Sequence, residues 1–334
     1  MLNKIIFSLK YFITYTWSKA IYLEIFFYRN ILKKNLYFFK YYGWADIFCF
    51  YLSKYSEILD KKEAFVFYWD QNTKNIVNFF FKKKKTIKSS FFIPKFISSY
   101  EINSRLLSRS ENIGACESLE KNLGNDFLKK NSIEVKNFLV NLINSQYSHN
   151  LNFLKKKKYV CFYLRYHNDD VKIVRSSSDI SKGFKLVNYL IGKGYDIVLM
   201  GNGNEKYLKI FIEKYKNEIK QKKIMISSEI IREDYLSDQL FVMLNSVFFC
   251  GTQSGFLAFY YFLKKYSISF DGYFRDEYLS ESFDKQKFLY KHRKDVKIDL
   301  TEKHLDIKGI LNLISENSFE EIKTLIEENY KFFK

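Results

Sequence analysis

Residues 159–271 repeat one alternation: a short apolar run, a turn carrying Arg, Gly, Ser or Thr, then a stretch with helical spacing. The apolar runs lie at 159–164, 196–200, 224–227, 247–250 and 267–270, and helical patterns fill 180–191, 206–218, 239–244 and 256–263. Runs this short, apolar on both faces and separated by helices, predict a parallel sheet covered by helices on both faces. In the first helix Phe184, Val187, Leu190 and Ile191 share a face, and Gly194 stands where a helix C-terminus favours glycine. In the second, Tyr207, Ile210, Phe211 and Tyr215 recur at intervals of three and four. Open sheets of this kind bind ligands outside the carboxyl ends of their strands, against helix N-termini, so the turns in this region are the place to look for chemistry.

The N-terminal half carries a weaker version of the same signal. Residues 35–42 read as an aromatic strand, Gly43-Trp44-Ala45-Asp46 as a turn, the segment to Leu59 as a helix, and 64–69 as a second strand. That order fits a small α/β domain. The lysine run 82–85 reads as a solvated loop, and the lone proline, Pro94, ends a short apolar run. Helical spacing reappears at Val135, Phe138, Leu139, Leu142 and Ile143; a second lysine run, 155–158, precedes the first strong strand. The expected division is therefore residues 1–150 and 151–334, the second closing with a docking helix whose stripe is Phe319, Ile322, Ile326, Tyr330 and Phe333.

A formal charge of +18 invites an anionic partner: nucleic acid, a lipid surface or a phosphorylated substrate. AT-rich coding would also produce this bias, since Lys, Asn, Ile, Phe and Tyr are abundant while Pro (1) and Gly (12) are scarce. An Arg fixed at a turn is therefore more telling than scattered Lys. Cys49, Cys116, Cys161 and Cys250 form no C-x-x-C pair, and the four His (149, 167, 292, 304) are dispersed, so neither pattern predicts a metal site. A reducing cytoplasm is the simplest expectation. The first thirty residues are strongly apolar but interrupted by Lys10, Lys19 and Glu24, with no small-residue cleavage site after a compact apolar stretch. The plainer expectation there is a helix packed on its own domain; the other is a helix lying at a membrane surface.

Several turns offer anion-binding groups. Arg165 follows the first strong strand directly, where its planar fork of donors can take a phosphate; its plainer role is an ion pair with Asp169 or Asp170. Arg175 lies in R-S-S-S-D-I, in which Ser178 or Asp179 would cap the next helix. Gly201-Asn202-Gly203 closes the second strand as a tight turn. In Gly251-Thr252-Gln253-Ser254-Gly255, small and hydroxyl residues would let backbone N–H groups approach an anion. The lysine of a P-loop is absent, as are H-E-x-x-H and G-x-S-x-G. No D-x-D ends a strand, which points away from a metal-dependent sugar-nucleotide site and towards phosphates neutralised by Arg and backbone dipoles. His167, beside two acids, reads first as a solvated residue and second as a base.

The series L-R-Y, R-S-S-S-D-I, G-Y-D-I-V-L-M-G and F-F-C-G-T-Q-S-G-F, in that order, resembles a family of bacterial glycosyltransferases. It is similar to the donor half of fucosyltransferase-like enzymes of GT-B architecture, two Rossmann-like domains facing each other. The likeness covers about a third of the chain, residues 159–271. It implies that Arg165 binds the diphosphate of a GDP-sugar, with Arg175, Asp179, Gly201, Gly251, Thr252, Ser254 and Gly255 as further donor-site positions. This chain has Tyr163 where the family has His, Tyr166 where it has Asp, and Leu199 where it has Arg.

The reading is thus a metal-independent transferase, needing no cofactor, that passes a sugar to a surface glycan or lipid-linked acceptor held by the N-terminal domain. Asp46 and Asp169 are the candidate bases, and the resemblance implies an inverting outcome. A peripheral contact with the inner membrane is expected, and nucleic acid is not, because the lysines spread along the whole chain without an RNA-binding motif. The rival expectations are a basic, aromatic-rich module for nucleic acid or anionic membrane, and a degenerate transferase kept as a scaffold.

Overall fold

The computed structural model describes residues 12–13, 16, 19–20, 23–38, 48, 51–52, 64–68, 71–81, 85–88, 132–166, 177, 179–201, 205–231, 236–252, 254–263, 265–272, 291–292, 310–314 and 317–333. The chain forms two compact units, Met1–Asp126 and Phe127–Lys334.

In the first unit a helical segment ends in a wide π turn, Phe27–Ile31, where the Leu32 N–H donates to the Phe27 carbonyl at 3.0 Å. Lys33, at φ 51°, reverses the chain into β1 (Asn35–Phe38). β2 (Ala64–Tyr68), α1 (Gln71–Phe81) and β3 (Lys85–Lys88) follow, and the three strands pair in parallel in the order β1-β2-β3. The α/β start is as expected, but β3 begins inside the lysine run read as a loop. Its Thr86 and Ile87 pair with Val66 and Phe67, and that pairing overrides the charge signal. Aromatic burial makes the core: Phe48 lies 5.0 Å from Phe80, which meets Phe79 edge-on at 5.1 Å.

The second unit opens with α2 (Ser132–Asn144) and a 3₁₀ turn (His149–Lys156). Then come β4 (Tyr159–Tyr163), α3 (Ile180–Gly192), β5 (Asp196–Leu199), α4 (Lys206–Lys214), α5 (Lys216–Lys220), β6 (Ile224–Ile226) and α6 (Ser227–Ile230). After them are α7 (Leu236–Asn245), β7 (Phe248–Thr252), α8 (Phe256–Phe262), β8 (Tyr266–Gly272), β9 (Lys291–His292), β10 (Ile310–Ile314) and α9 (Phe319–Glu328). All seven strands are parallel, in the order β6-β5-β4-β7-β8-β10-β9.

Alternate side chains of β4 serve opposite layers. The Tyr159 hydroxyl donates to the Val242 carbonyl of α7 at 2.6 Å, while Phe162 stacks on Phe211 of α4. α9 covers the sheet on the α3 side, where Phe333 stacks 4.3 Å from Phe248. α2 belongs to this unit because its buried stripe, Val135, Leu139 and Ile143, packs with α7 and α8. The helix expected over 206–218 is broken at Tyr215, whose hydroxyl is held by Asn188 Oδ1 (2.9 Å) and the Phe184 carbonyl (3.0 Å) of α3. Gly194, at φ 85°, follows α3 as expected.

Candidate functional site

From β4 the sheet grows outwards through β5 to β6, and the chain then returns through α7 to place β7 on the other side of β4. Neighbouring connections therefore run in opposite directions from the β4–β7 pair. Open α/β sheets commonly bind their ligands at such a reversal, beyond the carboxyl ends of the strands. Arg165 emerges there, half-buried, after Leu164. Its N–H donates to Thr252 Oγ1 at 2.8 Å, and its carbonyl accepts from the Ser177 N–H at 2.8 Å. Both backbone groups are thereby engaged, which fixes the root of the guanidinium between the two strand ends. The Tyr163 phenol lies beside Arg165 and Glu205. Burial pushes its pKa up and the Glu205 carboxylate pushes it further, against the opposing pull of Arg165, so it stays protonated at neutral pH.

The β7 end has the small residues this closeness requires. A Cβ on Gly251 would lie 2.3 Å from the Tyr163 carbonyl oxygen, a backbone atom that cannot step aside. Thr252 is fully buried and fixed by Arg165. The Ser254 hydroxyl is buried without a hydrogen-bond partner. Such groups are few in folded proteins and cost about 1–3 kcal/mol each, so a donor or acceptor arriving from outside would gain from it. Gly255 forms the turn into α8.

Gly201 closes β5 at φ 135°, a conformation reserved for glycine, and a Cβ there would meet Glu205 Oε1 at 2.8 Å. Its N–H and carbonyl are both bonded to the Ser227 hydroxyl, at 3.1 and 3.0 Å. Gly201 thus shapes the edge while its own N–H is already used. Asp179 caps α3 as expected, accepting from the Ser181 N–H (2.8 Å) and hydroxyl (2.6 Å). Partial burial pushes its carboxyl up, but these bonds, the Lys182 N–H and the Lys182 charge outweigh that and hold it below the ordinary aspartate value. Asp46, His167, Asp169, Asp170, Arg175, Ser178, Asn202, Gly203 and Gln253 lie outside the described residues.

One cluster at the same sheet edge escaped sequence reasoning. Lys182, in the first turn of α3, places Nζ 2.7 and 2.5 Å from the Asp271 carboxylate oxygens at the end of β8, and 2.9 Å from the Asn317 carbonyl. Asn317 closes the arrangement: its N–H donates to Asp271 Oδ1 (2.9 Å) and its Oδ1 accepts from the Asp271 N–H (3.0 Å). All three residues are buried, and Asp271 has φ 52°. Its only local signal is the acid terminating the apolar run S-I-S-F-D. Glu205, which faces Tyr163, has no motif of its own in the sequence.

The sequence matches no protein-family model and no curated protein. Among solved structures, the chain is similar to the E. coli heptosyltransferase WaaC with ADP, at 9% identity and a TM-score of 0.47, covering 89% of this chain and 98% of that one. The same enzyme with ADP-2-deoxy-2-fluoro heptose aligns at 12% identity and TM-score 0.37, over 82% and 75% of the two chains. A Methanocaldococcus jannaschii UDP-GlcNAc 2-epimerase in complex with UDP-GlcNAc and UDP aligns at 15% identity and TM-score 0.36, over 84% and 72%.

Proposed function

We propose that the crevice outside β4 and β7 holds the diphosphate of a nucleotide-sugar, and that the chain is a glycosyltransferase acting without a metal ion. The observation that supports this most directly is the Arg165–Thr252 bond at the reversal of the sheet, with the unbonded Ser254 hydroxyl two residues further along the chain. A guanidinium held at its root can meet the charge that grows on a departing nucleoside diphosphate with little reorganisation. Thr252, Ser254 and the Gly255 amide line the phosphate path, with Gly251 holding the strand ends close. Arg175 is a second phosphate ligand, while Asp179 and Gly201 shape the donor site. In this reading the N-terminal unit receives a surface-glycan or lipid-linked acceptor, Asp46 or Asp169 takes the acceptor proton, and the favoured donor is a GDP-sugar.

The test is thermal unfolding with GDP, UDP, CDP and ADP, on the parent chain and on Arg165→Ala. A ligand at about 100 times its dissociation constant stabilises by about 2.7 kcal/mol, several degrees in Tm. The expected outcome is one nucleotide that raises the parent midpoint and leaves the variant unmoved. No response from the parent to any nucleotide would overturn the donor site. An equal response from the variant would remove Arg165 from it.

A further inference from the structure

Six of the eight exposed large apolar side chains of the described residues fall between Phe12 and Leu32. Phe12 (66%), Leu23 (65%), Phe26 (48%), Phe27 (46%) and Ile31 (60%) follow one another at helical spacing, with Thr16 and Lys19 filling the exposed positions between. Among the described residues of this stretch Ile25 is buried, and Ile13, Ala20, Glu24 and Tyr28 are half-buried. The helical segment thus turns a large part of its apolar surface outwards. Exposed apolar side chains concentrated on one segment in this way are a candidate docking surface.

Charge decides the occupant. Between Phe12 and Lys34 the cations are Lys19, Arg29, Lys33 and Lys34, and the acid is Glu24 alone. Lys19, Arg29 and Lys33 are exposed with the apolar stripe, whereas Glu24 sits on the half-buried side. A second copy docking through the same face would set these cations against their own equivalents, because a two-fold contact pairs a patch with itself. An anionic lipid surface takes both parts: the rings and aliphatic chains enter the headgroup boundary and the cations meet the lipid charge. We infer that this N-terminal face docks the protein peripherally on an anionic membrane, an inference that does not rest on the donor-site reading. No helix among the described residues is long and apolar enough to cross a membrane.

The experiment is co-sedimentation of the full chain with vesicles of phosphatidylcholine alone or mixed with phosphatidylglycerol. The expected result is binding to the anionic vesicles, at least about tenfold weaker to the neutral ones, and about tenfold weaker again as salt rises from about 0.05 to about 0.5 M. Both arms use the unaltered protein. A triple variant, Phe26→Ser, Phe27→Ser and Ile31→Ser, should lose most of the binding; Lys19→Gln with Lys33→Gln should lose the preference for anionic lipid. The parent failing to bind anionic vesicles overturns the inference, and so does undiminished binding by the triple variant. Self-association of the parent without vesicle binding, abolished in the triple variant, would assign the face to a second copy and overturn it too. The nucleotide response is read on the same samples, so failure of either proposal is separable from the other.

Discussion

Two basic side chains stand at the carboxyl edge of the larger sheet, and the protein treats them in opposite ways. At β8 the Lys182 ammonium is closed inside the unit by Asp271 and the Asn317 carbonyl, which take up its donors, and nothing charged is left to offer a ligand. At β4–β7, Arg165 is anchored through its backbone and half-exposed, and the turn after β7 carries a hydroxyl, that of Ser254, with no partner. A cation at a strand end is thus a binding candidate only where the fold has not already neutralised it. The β8 corner is a structural clamp joining α3, β8 and the start of α9, whereas at the β4–β7 corner the cation stays partly exposed.

The largest expected effect breaks the clamp. Asp271→Ala would leave Lys182 buried without its counter-charge, at a cost of about 3–5 kcal/mol in denaturant unfolding. Adding Lys182→Met to Asp271→Asn removes both charges while Asn tolerates the left-handed backbone, and should recover more than half of that loss. The half-exposed pair Lys157–Asp196 gives the contrast: Asp196→Ala should cost about 1 kcal/mol or less. Equal losses at Asp196 and Asp271 would sink the distinction between clamp and surface pair.

Much of this arrangement could be read in the sequence, and the rest has physical reasons for being hidden. β4, β6 and β7 are buried throughout and β5 and β8 nearly so, and the sequence places each within a residue or two, because an apolar stretch between helices has few alternatives. Arg165, Thr252 and Ser254 stand out in the sequence because a turn after a buried strand is a local signal, and the fold places Arg165 and Thr252 in contact. Lys182 and Asp271 are 89 positions apart, and nothing near either foretells a pair that only the sheet brings together. β10 is a short apolar run, Ile-Leu-Asn-Leu-Ile, in a polar stretch with no local strand signal; its pairing with β8 and β9 defines it. The break at Tyr215 was hidden for a similar reason, since the helical spacing runs straight through it. The N-terminal segment is harder to read: its apolar residues lie nearly all round, which favours packing, and among its described residues some are buried and others exposed.

A second prediction tests whether the open corner depends on close contact between β4 and β7. In Gly251→Ala the new methyl would lie 2.3 Å from the Tyr163 carbonyl oxygen and 2.8 Å from Phe249 Cζ. The strands must part to admit it, at about 1–3 kcal/mol, and parting them pulls Thr252 away from the Arg165 N–H. The expected outcome in thermal unfolding is a lowered midpoint together with loss of the nucleotide response. A destabilised variant that still responds fully would show that the corner binds without the β4–β7 contact.

The smallest effect concerns the first turn of α3, which lies between the two corners. Ser177 bonds Arg165 on one side, Lys182 bonds Asp271 on the other, and Asp179 caps the helix between them. Asp179→Ala should cost about 1 kcal/mol, and Asp179→Asn less, since Asn also caps well. Because the folded-state carboxyl titrates below its ordinary value, its charge stabilises the protein above about pH 4 and ceases to do so as the pH falls through the folded value. The stability difference between parent and Asp179→Asn should therefore be present at pH 7 and shrink towards zero in acid. If it stayed constant down to about pH 2, the carboxylate charge would contribute nothing and the cap would act through its hydrogen bonds alone. If both corners kept their behaviour in Asp179→Ala, the clamp and the open site would be independent of the turn that joins them.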